Sequence, residues 1–355
     1  MKSLSVQKAY DDTFGVLSAY EGKRILVTGG RGYIGAKLSL ALAGVNCELT
    51  LVDRSTSNWS IPNGVAKVSL VNGDISKIET WNQILPNKDV VFHLAQQEYS
   101  DCEPLIDWEV NALPTIYLCE VCRNKGWRPK VIFTSSVNLY GRTDNIKVNE
   151  RSFDDLLVPW AIHKRVSESY LRCYGVKYGV SSTILRLSNV YGPSPNSEVI
   201  FRSTINAVIR EAILGGDLIV YPNAYCLRDY VYIDDVVCAI LLAGTNIRKE
   251  MYGEIFNIGS AHGIKIIDVW KMICEAVARK VSLPTLRHLE IGMEPFALRS
   301  FFIDTKKFTN ESGWKPQVDL QTGIARSVDF IYEFILEKKN VEPIVSALVA
   351  KPKIL

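Results

Sequence analysis

At 355 residues, 47% of them hydrophobic and 22% charged, the chain can bury one large core or two closely packed ones. Its net charge of +3, spread over scattered Lys and Arg, excludes a nucleic-acid-binding stripe. No apolar run approaches membrane-spanning length and the opening MKSLSVQKAYDDTFG lacks the apolar core of a signal peptide, so a cytoplasmic protein without a membrane partner is expected.

Residues 1–22 carry too little apolar periodicity for a domain and read as an arm packed on the surface or on a neighbouring subunit. The organising stretch follows: Lys23–Gly35, KRILVTGGRGYIG. Ile25, Leu26 and Val27 predict a buried strand, and Gly29, Gly32 and Gly35, three apart, predict a tight turn whose backbone can approach a pyrophosphate. A helix opening at Tyr33 and Ile34 points its free amides at that phosphate. Eighteen residues beyond Gly35, Asp53 ends a second apolar run, Cys47–Val52, where its carboxylate can accept hydrogen bonds from both hydroxyls of an adenosine ribose. That carboxylate repels a 2′-phosphate and favours NAD over NADP. Arg54 beside it leaves two other roles open, stacking on adenine or accepting the phosphate.

The alternation of strand and helix continues through Ala66–Val71, a helix near 76–85, Asp89–Leu94, a long helix through Asn111–Asn124, the strand Lys130–Thr134, a helix through Lys164–Tyr178 and the strand Ser182–Leu187. This pattern implies an α/β fold, a Rossmann-type doubly wound parallel sheet. Ligands of such sheets lie beyond the carboxyl ends of the strands. That rule places Asp74 and Ile75 at adenine, Leu94 and Ala95 behind the pyrophosphate and nicotinamide ribose, and the three hydroxyls of Thr134, Ser135 and Ser136 at the next strand end. His93 reads as a packed, satisfied side chain.

Beyond Gly192, Pro193, Pro195 and Asn196 mark a break. A helix over 201–214, short strands, a further strand at 254–259, an amphipathic helix over 267–280 and a final helix over 320–338 predict a smaller C-terminal lobe. The expected divisions are an arm at 1–22, a cofactor domain at 23–192, a second lobe at 193–340 with some segments returning to the first domain, and a tail at 341–355. The eight cysteines, Cys47, Cys102, Cys119, Cys122, Cys173, Cys226, Cys238 and Cys274, lie in apolar segments and read as buried thiols. Cys119 and Cys122 form a Cys-x-x-Cys within a helical pattern with no second pair to complete a zinc site, so no metal is expected.

The segments GGRGYIG (29–35), GDI (73–75), FHLA (92–95), TSSVNLYG (134–141), RLSNVYGP (186–193), RDYVYIDD (228–235), FNIGS (256–260) and DTKK…GWKP (304–316) together resemble the extended short-chain dehydrogenase/reductases that act on nucleotide sugars. The resemblance covers residues 23–333. It implies NAD in the first lobe, a nucleotide diphosphate in the second and the sugar lying across the nicotinamide. Ser136 would hydrogen-bond the sugar hydroxyl, Lys164 would bind the nicotinamide ribose, Asn189 and Arg228 would contact the diphosphate, and Arg299 would contact a phosphate or ribose. Where a further arginine belongs stands Glu294. The resemblance also implies a homodimer paired through helices near 103–124 and 160–178.

One position departs from the family pattern. Four residues before Lys164, where the family carries its catalytic tyrosine, stands Trp160, whose indole N–H only donates and does not titrate near neutrality. Three readings stay open. Another acid–base group substitutes, His163 being nearest in sequence, with Tyr99, Asp101 and Asp154 in loops that could reach the sugar. Alternatively, Ser136 and water relay the proton slowly, or catalysis is lost and a protein that binds NAD and a nucleotide sugar remains. Val137 and Asn138 occupy the places of the Asp-Glu pair of 4,6-dehydratases. The resemblance therefore points to sugar C4, in a 4-epimerase or a C4 dehydrogenase/reductase.

Overall fold

The computed structural model describes residues 15–54, 63–96, 103–141, 146–152, 154–156, 158–245, 251–289 and 298–341. The chain opens with β1 (Arg24–Thr28), α1 (Tyr33–Ala43), β2 (Glu48–Asp53), β3 (Lys67–Asn72), α2 (Ile78–Ile84) and β4 (Val90–His93). Then come α3 (Pro104–Asn111), α4 (Leu113–Lys125), β5 (Lys130–Ser136), the short β6 (Lys147–Val148), α5 (Pro159–Tyr178), β7 (Ser182–Leu187) and β8 (Asn189–Tyr191). The helix expected through Asn111–Asn124 is thus two helices. They meet at Ala112, and Pro114, which has no N–H to continue the ladder, lies in the first turn of the second.

The remaining elements are α6 (Thr204–Ile213), β9 (Leu218–Val220), β10 (Leu227–Arg228), β11 (Tyr230–Tyr232), α7 (Ile233–Thr245), β12 (Tyr252–Ile258), β13 (Ile264–Lys265), α8 (Ile266–Val277), β14 (Leu286–His288), β15 (Phe302–Ile303), α9 (Lys306–Ser312) and α10 (Leu320–Val341). Seven strands form one parallel sheet in the order β12-β7-β5-β4-β1-β2-β3. The strand order reverses between β1 and β4, which opens a crevice at their carboxyl ends. Every residue of β7 is buried, as expected for a strand covered on both faces.

The strand expected at 254–259 among the second-lobe elements is β12, the seventh strand and an edge of the central sheet, paired with β7 in register Phe256↔Leu185. α7 also returns: Val237, Ile240 and Leu241 pack with Leu38, Leu49, Phe92 and Trp314 in the core on one face of the sheet. Trp81, Leu118, Val131, Leu171 and Ile184 form the core on the other face. A separate core joins α6, α8 and α10 through Ile205, Ile209, Val269, Trp270, Ile273, Ile324 and Ile331. β12 and α7, both beyond residue 193, thus return to the central sheet.

His93 packs edge-on against Trp81 between the hydroxyls of Thr28 (2.8 Å) and Thr115 (3.2 Å), and burial pushes its pKa down to about 3, so it stays neutral. Six of the cysteines are buried, but Cys173 is exposed on α5, which corrects the expectation of a buried thiol there; Cys102 lies outside the described residues. Among the described residues no helix is long and apolar enough to cross a membrane.

Candidate active site

The glycine turn after β1 fits a pyrophosphate. Gly29 has φ +70, and a Cβ there would lie 2.7 Å from the Ala95 Cα, so the turn and the end of β4 touch backbone to backbone. A Cβ at Gly35 would lie 2.0 Å from the Gly29 carbonyl oxygen. Gly32 caps α1 with no side chain, which leaves the first-turn amides to an anion. The turn is closed by Gly32 N–H on the Gly29 carbonyl at 2.9 Å. Replacing Gly35 with Ala is expected to weaken NAD binding and to lower stability by about 1–3 kcal/mol, since overpacked backbone must shift; NAD titration and chemical denaturation check it.

Around the turn, Asp53 accepts the Arg31 amide at 3.4 Å, Leu94 N–H donates to the Thr28 carbonyl at 3.3 Å and Ala95 N–H to the Thr28 hydroxyl at 3.3 Å. Ile75 is buried, whereas Asp74 is exposed and accepts the Ser76 amide at 2.9 Å. Arg54 is exposed at the carboxyl end of β2. These contacts join the glycine turn to Asp53, Leu94 and Ala95 at the carboxyl ends of β1, β2 and β4.

β5 runs on to Ser136, whose Oγ accepts the Asn138 amide at 3.2 Å. Lys164, in the second turn of α5, is buried. Its Nζ donates to the Thr134 carbonyl at 2.8 Å and lies 4.6 Å over the Phe133 ring. Burial pushes its pKa down to about 7, against the charge of Glu168 one turn on. Trp160 is half-buried in the first turn of the same helix, directly after Pro159 at its start. His163 is buried with its ring edge-on to Trp108 of α3, and burial lowers its pKa while the Asp107 charge opposes that.

The diphosphate candidates lie on β8, on β10 and just before β15. Arg228 donates to the Leu227 carbonyl at 2.9 Å and to the Arg299 carbonyl. Arg299 in turn donates to the Asn138 Oδ1 and lies 5.6 Å over the Phe301 ring. Burial lowers both guanidinium pKa values; for Arg299, burial and then the like charge of Arg228 bring it down to about 10, against Asp155. Two half-buried cations, one of them destabilised by the charge of the other, form a site an anion would relieve. Asn189 is exposed at the start of β8, and its amide is already anchored on the Asp229 carbonyl at 2.7 Å.

Two features had been missed. Asn138, used above only to argue against dehydration, links the Ser136 turn to the Arg299 clamp. Asp154 pairs with buried Arg186 at 2.7 Å and with Arg165 at 2.8 Å. An arginine inside the apolar run STILRL was the available signal, because such a charge needs buried partners. Tyr99, Asp101 and Glu294 lie outside the described residues.

With this geometry, the chain belongs to the NAD dependent epimerase/dehydratase family, which it matches over residues 25–259. It is 30% identical to the UDP-glucose 4-epimerase of Mycolicibacterium smegmatis over 318 residues, covering 86% of this chain and 98% of that protein. The structure of the UDP-glucose 4-epimerase from Thermotoga maritima with UDP-glucose aligns with a TM-score of 0.74 at 28% identity, over 88% of this chain and 99% of that one. A dTDP-glucose 4,6-dehydratase double mutant from Streptomyces venezuelae with NAD bound shares the fold, with a TM-score of 0.73 at 24% identity over 90% and 100% of the two chains.

Proposed function

We propose that the protein acts at C4 of a UDP-hexose, as a 4-epimerase or C4 oxidoreductase, with a relay of Ser136, water and Lys164 in place of the family's tyrosine. The observation that carries this is the contact string Ser136–Asn138–Arg299–Arg228. With Ser136 to meet the sugar hydroxyl at one end and two neighbouring guanidinium groups to meet the diphosphate at the other, it supports this reading. The preference for UDP rests on the two UDP-glucose 4-epimerases among the similar proteins.

When bound, NAD supplies the hydride acceptor at its nicotinamide. Ser136 holds the sugar hydroxyl, and Arg228 and Arg299 neutralise the diphosphate and so fix which carbon faces the cofactor. Lys164, held by Thr134 two residues before Ser136, takes up the proton through water, because its depressed pKa lets it exchange protons near neutrality. Neutral amine is the accepting form, so the rate of sugar oxidation is expected to rise with pH through about 7 and Lys164→Met to remove that rise.

Arg228→Met or Arg299→Met is expected to raise KM for the nucleotide sugar by roughly ten- to a hundredfold, since each charged hydrogen bond to phosphate contributes about 1.5–3 kcal/mol. The same reading includes a homodimer. Leu105 and Ile106 of α3 and Ile162, Val176 and Tyr178 of α5 are exposed apolar residues on the helices that would pair, and light scattering tests it.

The deciding experiment incubates the protein and NAD with UDP-, GDP-, CDP- and dTDP-linked sugars, following nicotinamide absorbance and product NMR. A sugar altered at C4 supports the proposal. Thermal stabilisation by one of them without turnover would assign a protein that binds NAD and a nucleotide sugar instead.

A further inference from the structure

The segment that carries the chain from β8 to α6 holds the cofactor turn from outside. Gly192 accepts the Tyr33 hydroxyl at 2.5 Å and the Asn206 amide at 2.8 Å, while Ser194 donates to the Tyr33 carbonyl at 3.2 Å. Arg31, between Gly30 and Gly32, is held at three points. Its N–H donates to Asp53, its carbonyl accepts from the Asn196 side chain at 2.7 Å, and its guanidinium pairs with Glu198 at 2.5 Å. Asn196 has two roles here. Its Oδ1 also accepts the Glu198 amide at 3.0 Å, closing a turn that aims Glu198 at Arg31.

We infer that Asn196 and Glu198 form a clasp on the cofactor turn that sets how slowly NAD leaves. A turn rich in glycine samples many conformations, and only one lines up its amides on a pyrophosphate. Fixing Arg31 in the middle of that turn removes the ordering cost from binding and prolongs residence. Neither residue is placed against NAD; both act through Arg31, so they are positioning residues. The Arg31–Glu198 pair is part-exposed, with side-chain exposures of 13% and 54%, and is therefore open to salt screening.

The test loads the protein with NADH and follows its fluorescence on mixing with excess NAD. Asn196→Ala and Glu198→Gln are each expected to speed release roughly three- to tenfold, with the melting midpoint of the NAD-free protein unchanged. Release that is unchanged or slowed in either variant overturns the inference; slowing in E198Q would show that Glu198 keeps Arg31 away from the phosphates. If a variant also melts earlier, ionic strength decides. A steeper salt dependence of release in the wild type than in E198Q supports the clasp, and equal slopes overturn it.

Discussion

Trp160→Tyr is expected to accelerate reduction of NAD by the sugar about 10²- to 10⁴-fold, the span a positioned acid–base group contributes. The expectation rests on placement. Pro159 starts α5, Trp160 follows in its first turn and Lys164 lies one turn on, so side chains at 160 and 164 share a face. Lys164 is already buried and anchored on Thr134, and Ser136 lies at the end of the same strand. A phenol at 160 would be deprotonated more readily whenever Lys164 carries its proton and could exchange a proton directly with the sugar hydroxyl, in place of the proposed relay through Ser136 and water. Single-turnover measurement of nicotinamide absorbance with a UDP-hexose, wild type against variant, reads the effect. A variant no faster than the wild type would mean that position 160 does not face the reacting oxygen, and the proposed relay would lose its premise.

The strands and the cofactor turn were legible because their signals are local. KRILVTGGRGYIG declares a buried strand, a turn that needs glycine and a helix start within a dozen residues, and Asp53 follows at the end of the next apolar run. What escaped was non-local. β12 reads in sequence as one more short strand of the second lobe, and only its pairing with β7 puts it in the central sheet. The break of the α3–α4 helix at Ala112 was signalled by Pro114, but proline in a first helical turn and proline inside a helix look alike until the hydrogen bonds are known. His163 was read by its distance from Lys164 along the helix, whereas its burial is decided by Trp108 of α3. The Asn138–Arg299 contact joins residues far apart in sequence and has no local mark at all.

The same limit hid the charged cluster under the active face, which gives the second large expected effect: Arg186→Met should destabilise the protein by about 3–5 kcal/mol. Arg186 is 1% exposed. It forks onto Glu168 at 2.9 and 2.7 Å and onto Asp154 at 2.7 and 3.1 Å, with the Tyr140 ring 4.8 Å beneath it. Burial alone would lower its pKa, but the hydrogen bonds and charge of Glu168, with help from Tyr140 and Asp154, hold it above the ordinary arginine value. Arg165 completes a balanced set of two cations and two carboxylates, reaching Asp154 at 2.8 Å and Glu168 at 3.5 Å. Methionine keeps much of the volume yet leaves Glu168, whose side chain is fully buried, with only the longer Arg165 ion pair among the described residues. Replacing Glu168 as well, in Arg186→Met with Glu168→Leu, is expected to recover much of the loss, since the cost comes from an uncompensated buried charge. Urea denaturation at neutral pH measures both. The Glu168 charge also acts on Lys164. With Arg186 gone, the Glu168 charge acts less opposed on Lys164 one turn away and raises its pKa, so the pH at which the rate climbs should move upward from about 7. A pH profile that stays in place would separate the cluster's role in stability from any role in tuning Lys164.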